Sequence, residues 1–224
     1  MLLLSVDASA VTASAALTED GRVIKNEFIN KGLTHSETLL PLIEKVMDGK
    51  TYNELDAIAV TAGPGSFTGV RIGVATVKGL AFPYDIPCIS VSTLEAIAYN
   101  FVDKNTVVCS VMDARRMQFY NALFKAENGK ITRLCEDRAI SLDDLREELK
   151  QYDNVIVAGD GAELCYNNLN LENTALADED KRYQNGVGVS KAAENKKTIK
   201  ADALMPVYLR LSQAERELKL KKEN

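Results

Sequence analysis

Hydrophobic and polar positions fall into short blocks at the start of the chain. Leu2–Val6, Ala13–Leu17 and Val23–Phe28 are apolar runs of strand length, parted by a turn near Ala10 and by Glu19-Asp20-Gly21. They predict three antiparallel strands in a meander. From about His35 to Asp48 the period changes to that of a helix. Its apolar residues Leu39, Leu40, Leu42, Ile43, Val46 and Met47 cover a wider arc than the ~100° stripe a surface helix needs, with Glu37, Pro41, Glu44, Lys45 and Asp48 on the wet side. Thr34-His35-Ser36-Glu37 reads as a capping box, Thr34 accepting from the Glu37 N–H while the Glu37 carboxylate reaches back. Pro41 lies inside this helix and is expected to bend it or leave a carbonyl unpaired.

The strand Leu55–Val60 follows, and Gly63-Pro64-Gly65 is turn punctuation before a helix that begins near Ser66 as N-cap. On that helix Val70, Val74, Val77 and Ala81 share one face, Gly69, Gly73, Thr76 and Leu80 the neighbouring one. Glycine inside a helix costs about 1 kcal/mol relative to alanine, so Gly69 and Gly73 imply a close neighbour, either the chain's own sheet or a helix from another chain. Strand Cys88–Val91 and helix Thr93–Phe101 complete an α/β order of βββαβαβα. The order then partly restarts. Val107–Asp113, Gln118–Phe124 and, after the Asn128-Gly129 hairpin turn, Ile131–Cys135 are strands; Leu142–Gln151 is a helix, Val155–Ala158 a strand, and Gly159-Asp160-Gly161 opens another helix. Such repetition points to duplication, with residues 1–104 as the first half and 105–224 as a truncated second. No element is predicted for Asn167–Ala193. Leu204–Leu209 is expected as a last strand, and Glu215–Asn224 as a charged helical or frayed tail.

A length of 224 residues suffices for a sizeable core, and a net charge of −5 argues against a free-standing nucleic-acid binder. Nucleic acid is expected to be met through a partner. The four cysteines, Cys88, Cys109, Cys135 and Cys165, form no C-x-x-C and read as reduced thiols of a cytoplasmic protein. Neither a signal peptide nor a membrane span is expected.

The glycine loop fails both specific phosphate signatures. No Lys follows Gly69 as a Walker A loop requires, and Thr68 stands where a dinucleotide fingerprint needs glycine. Asp7 and Asp113 hold equivalent places after the first strand of each half, where two-halved nucleotide-binding proteins carry metal- and phosphate-holding aspartates. Here their loops read Asp7-Ala8-Ser9-Ala10 and Asp113-Ala114-Arg115-Arg116, without glycine, and turn formation is the plainer role. Gly159-Asp160-Gly161 would approach an adenosine in the same scheme. His35 is the only histidine, which excludes a His-rich metal site. No metal or other cofactor is expected.

Thr34-His35-Ser36-Glu37-Thr38-Leu39-Leu40-Pro41, the run from Leu55 through Gly63-Pro64-Gly65-Ser66-Phe67-Thr68-Gly69-Val70-Arg71-Ile72-Gly73, Asp113-Ala114-Arg115, and Pro206-Val207-Tyr208-Leu209-Arg210 with Ala214-Glu215 together resemble the bacterial TsaB (YeaZ-like) family. The resemblance implies an ASKHA-type fold, the actin/Hsp70-like arrangement of two ribonuclease-H-like halves, the second degraded. It further implies a non-catalytic subunit in making threonylcarbamoyladenosine next to the anticodon of tRNAs that read codons starting with A. The catalytic paralogue TsaD holds metal through paired histidines in an H-x-x-x-H helix; an ATPase, TsaE, joins the assembly; tRNA is met through the complex, and a homodimer is open to the chain alone. Docking in that family uses the first two helices, which places the expected partner-binding patch at Leu39, Leu40, Ile43, Met47, Val70, Gly73 and Val74. The alternative is an ATP-dependent kinase or carbamoyl-transferase working through Asp7 and Asp113.

Overall fold

A computed structural model describes residues 1–30 and 34–210. The opening meander is β1 (Leu2–Asp7), β2 (Ala13–Glu19) and β3 (Arg22–Ile29), followed by α1 (His35–Met47), β4 (Ala57–Gly63), α2 (Phe67–Ala81), β5 (Cys88–Ser92) and α3 (Thr93–Ala98). The five strands form one sheet in the order β3-β2-β1-β4-β5, with β1 antiparallel to β2 and parallel to β4. The second half repeats it. Strands β6 (Thr106–Asp113), β7 (Gln118–Glu127), β8 (Lys130–Arg133), β10 (Val155–Ala158) and β11 (Thr174–Leu176) run in the order β11-β10-β6-β7-β8, and β9 (Arg138–Ser141) also pairs with β7. With β9 left out of the count, both sheets follow the same 3-2-1-4-5 order within their half, the duplicated ASKHA-type architecture. Helices α4 (Leu142–Leu149), α5 (Ala162–Leu169), α6 (Glu179–Arg182) and α7 (Gly186–Ala193) complete the described elements.

Strand β1 is buried along its whole length, which explains its unbroken apolar run. Its even positions Leu2, Leu4 and Val6 pack beneath α1 and α2, while Leu3 faces the other way toward Val189, Ala192 and Ala193 of α7. The second sheet is likewise covered on both faces. Leu94, Ile97 and Ala98 of α3 pack on Val108, Met112, Ala122 and Phe124, and α4 and α5 close the opposite face through Leu145, Leu149, Cys165 and Leu169. The layers therefore run α1/α2, first sheet, α7 with α3, second sheet, α4/α5. A cut at 104/105 divides the strands but parts α3 and α7 from the sheets that they cover.

Several expectations need correction. Thr34 precedes α1 but forms no reciprocal box: its hydroxyl donates to the Glu37 carboxylate at 2.9 Å, and its carbonyl, not its side chain, accepts the Glu37 N–H. Helix α1 runs on through Pro41, whose missing N–H leaves the Glu37 carbonyl without its intrahelical donor, the second of the two outcomes expected of that proline. Leu204–Leu209 is not a strand. It is an extended strap tied to the first sheet by the Val207 N–H donating to the Ala62 carbonyl at 2.7 Å. The polar stretch after Asn167 contains β11, α6 and α7. The tail Glu215–Asn224 lies outside the described residues.

Candidate functional site

The glycine loop and the β1–β2 turn are built against one another. Ser66 caps α2, its hydroxyl accepting from the Gly69 N–H at 3.3 Å, while its own N–H donates to the Ser9 carbonyl at 2.7 Å. A Cβ at Gly65 would stand 2.3 Å from that carbonyl and one at Gly69 only 2.1 Å from the Ala8 carbonyl oxygen. The loop is thus packed onto its own chain, and its Ser66 amide is spent there rather than offered to a phosphate. At Gly73 the nearest atoms to a Cβ would be Val60 Cγ2 at 3.5 Å and Ala8 Cβ at 3.6 Å, so this position also faces the sheet. The close neighbour implied by Gly69 and Gly73 is the chain's own sheet and turn.

His35 belongs to the same wedge. Its Nε2 lies 2.5 Å from the Ala10 carbonyl oxygen, and its Nδ1 is buried without a hydrogen-bond partner. Asp7 is fully buried; one carboxylate oxygen accepts from the Thr61 hydroxyl at 2.6 Å and the Ser9 hydroxyl at 2.7 Å, and the other has no partner. Burial raises its carboxyl above the ordinary range despite these hydrogen bonds. Asp113 is exposed and accepts from the Arg115 N–H at 2.7 Å, the turn-forming role.

A cleft of about 480 Å³ opens between the halves. Pro64–Thr68 form one wall, Met112–Arg115 with Tyr120 and Asp160 the other, and the strap Val207–Arg210 crosses it. The strap is held from both sides: Val207 binds Ala62 of the first half, and the Arg210 guanidinium donates to the Ala114 carbonyl of the second at 3.0 Å. Among the described residues no three His, Cys, Asp or Glu side chains gather in a metal-binding arrangement.

Asp160 lines this cleft with one carboxylate oxygen unpartnered. Burial, and next the charges of Asp113 and Asp7, push its carboxyl up to about 7. A folded-state pKa above the unfolded one means that the folded chain binds more protons. The stability contributed here is therefore fully present below the ordinary 3.8 and lost as pH rises through about 7. Asp160→Asn is expected to match the wild type in thermal melts near pH 4 and to melt higher than it at pH 8; equal melting at both would contradict this placement.

Six of the seven residues expected on the partner patch are core residues. Leu39, Ile43, Met47, Val70, Gly73 and Val74 are buried within the first half, and Leu40 alone is exposed, at 42%. The physical reason is the position of α1 and α2, side by side on one face of the sheet, which consumes the broad apolar arc. What the two helices turn outward is Leu40, Pro41 and Glu44 on α1, with Ala75 and Gly79 exposed and Ile72 and Thr76 half-buried on α2. A Cβ at Gly79 would meet nothing within 4 Å. Sequence reasoning missed this small-residue surface because the more conspicuous glycines lie one face away.

The family model described as "TsaD: tRNA N6-adenosine threonylcarbamoyltransferase" matches residues 30–217. The chain is 34% identical over 159 residues to the tRNA threonylcarbamoyladenosine biosynthesis protein TsaB of Bacillus subtilis strain 168, covering 70% of this chain and 69% of that one. It is 30% identical over 227 residues to the protein of the same name from Haemophilus influenzae, covering 94% of each. The solved structure of YeaZ from Pseudomonas aeruginosa matches with a TM-score of 0.79 at 25% identity, over 93% of this chain and 99% of that one. A likeness that spans the length of the chain in both sequence and fold shows that it belongs to the TsaB family of tRNA threonylcarbamoyladenosine biosynthesis proteins.

Proposed function

We propose that this chain is a non-catalytic scaffold subunit that binds the catalytic paralogue TsaD and is required for threonylcarbamoyl transfer to N6 of the adenosine next to the anticodon. The observation that carries this reading is the fate of the only histidine. His35 sits at the start of α1, against the Ala10 carbonyl, so a helix with paired metal-binding histidines has no counterpart here. The matched family model is that of the transferase itself, which favours association between homologous chains through corresponding helices. Docking through the outward faces of α1 and α2 suits such a pairing: Leu40, Pro41 and Ile72 supply apolar area, and Ala75, Thr76 and Gly79 let a partner helix approach closely. The same face serves a homodimer when the chain is alone. TsaE joins the larger assembly in the cytoplasm, and tRNA enters through the complex.

Reconstitution tests this directly. Purified TsaD, TsaE, tRNA and the threonylcarbamoyl donor are expected to yield modified adenosine only when this chain is added, and the chain with ATP and magnesium is expected to turn over nothing. ATP hydrolysis by the chain alone would favour the kinase or carbamoyl-transferase reading; full modification without the chain would overturn the scaffold.

A further inference from the structure

The arginines divide sharply by partner. Arg133, Arg138, Arg146 and Arg182 each pair with a carboxylate, whereas Arg22, Arg71, Arg115, Arg116 and Arg210 make no ion pair with any carboxylate of the described residues. Arg115 and Arg210 line the cleft, Arg116 follows Arg115 in its turn, and Arg71 packs on the lining residues Phe67 and Tyr208. Arg115 and Arg116 project, exposed, from a turn in which they and Met117 adopt left-handed φ of 65°, 58° and 53°. Arg210 binds the neutral Ala114 carbonyl in the same turn at 3.0 Å. On the opposite rim Arg71 lies 3.7 Å over the Phe67 ring and donates to the Tyr208 hydroxyl at 2.7 Å, and Phe67 stacks on Tyr208 with centroids 4.7 Å apart. Tyr208 stays 42% exposed. The Arg71 guanidinium is oriented by the rings and that of Arg210 by the carbonyl, neutral partners that leave their charge in place, while Asp113 is the exposed carboxylate of the turn that carries Arg115 and Arg116.

We propose that this rim, Arg115 and Arg116 on one side and Arg71 with Tyr208 on the other, is a contact site for a single-stranded segment of RNA. Guanidinium groups take phosphates, and exposed aromatic rings take unstacked bases, the combination that single strands require. A mononucleotide would need only the cleft, yet Arg71 and Arg116 lie outside its lining. The cations therefore extend beyond the cleft itself. At a net charge of −5 the chain as a whole disfavours nucleic acid, so contact is expected to be local to the rim. The proposal rests on the family's place in tRNA modification for the RNA being tRNA.

Fluorescence anisotropy of a labelled anticodon stem-loop RNA with the full chain, from about 50 to 200 mM salt, tests it. The wild type is expected to bind at low salt. Arg115→Gln with Arg116→Gln is expected to weaken affinity about tenfold or more and to flatten the salt slope by about 0.7 for each phosphate that the variant no longer neutralises. Tyr208→Ala is expected to weaken binding without changing the slope, and Arg22→Gln to leave both unchanged. No binding at low salt, equal weakening in Arg22→Gln, or displacement of the RNA by micromolar ATP would overturn the proposal, the last in favour of a mononucleotide. Pull-down with TsaD on the same variants separates this from the scaffold reading: the arginine variants are expected to retain TsaD.

Discussion

Gly69→Ala is expected to destabilise the first half by about 3 kcal/mol or more, while Gly73→Ala, one helical turn on, is expected to be neutral or stabilising by up to about 1 kcal/mol. The two glycines share a face of α2 and both lie over Ala8, but Gly69 meets its backbone carbonyl and Gly73 only its methyl group. At Gly69 the added methyl would collide at 2.1 Å with the Ala8 carbonyl oxygen and approach His35 Cδ2 to 3.3 Å. That carbonyl follows directly on β1 and cannot retreat without disturbing Asp7, which Thr61 and Ser9 hold by hydrogen bonds. At Gly73 the methyl would find ordinary contact distances of 3.5 and 3.6 Å, and the helix gains the alanine preference. Urea unfolding followed by far-ultraviolet circular dichroism measures both. Similar midpoints for the two variants would contradict the account of how α2 is seated.

A comparably large effect is expected at Ile43. It is fully buried on α1 among Leu39, Leu42 and Val46, and Ile43→Asp would place an unpaired carboxylate in that core. The expected loss is about 4 kcal/mol or more, a large part of the stability a domain usually has. Leu40→Asp, three residues earlier, changes an exposed position and is expected to shift stability by no more than about 0.5–1 kcal/mol. Thermal melts of the two variants check the division of α1 into a core face and an outward face. A cooperative, wild-type-like melt for Ile43→Asp would mean that α1 is not seated as described.

The duplicated fold was readable because both halves repeat an apolar strand ending in aspartate, then a turn and a second strand, and because Val70, Val74, Val77 and Ala81 keep a strict helical period. What stayed hidden has identifiable causes. Strand β9 is four residues of mixed burial and β11 only three, too short for a period to register. Helix α7 reads Gly-Val-Gly-Val-Ser-Lys-Ala-Ala, and its glycines look like breakers. They are there because a Cβ at Gly186 would strike the Ala16 amide nitrogen at 2.7 Å and one at Gly188 the Ala96 carbonyl oxygen at 2.3 Å, contacts made only after the chain returns to the first sheet. On α1 the apolar arc was legible, but not which part of it the sheet would claim. In the cleft the equivalence of Asp7 and Asp113 followed from the repeat. The unpaired arginines did not, since their isolation depends on the strap carrying Tyr208 and Arg210 back across the halves.

In the proposed complex the outward faces of α1 and α2 hold the catalytic subunit. The most direct measurement is size-exclusion chromatography with light scattering on equimolar TsaD and a Leu40→Asp, Ala75→Arg variant, whose folding is first matched to the wild type by circular dichroism. A folded variant that elutes apart from TsaD, under conditions where the wild type co-elutes, is the predicted result; a folded variant that still forms the complex would contradict it.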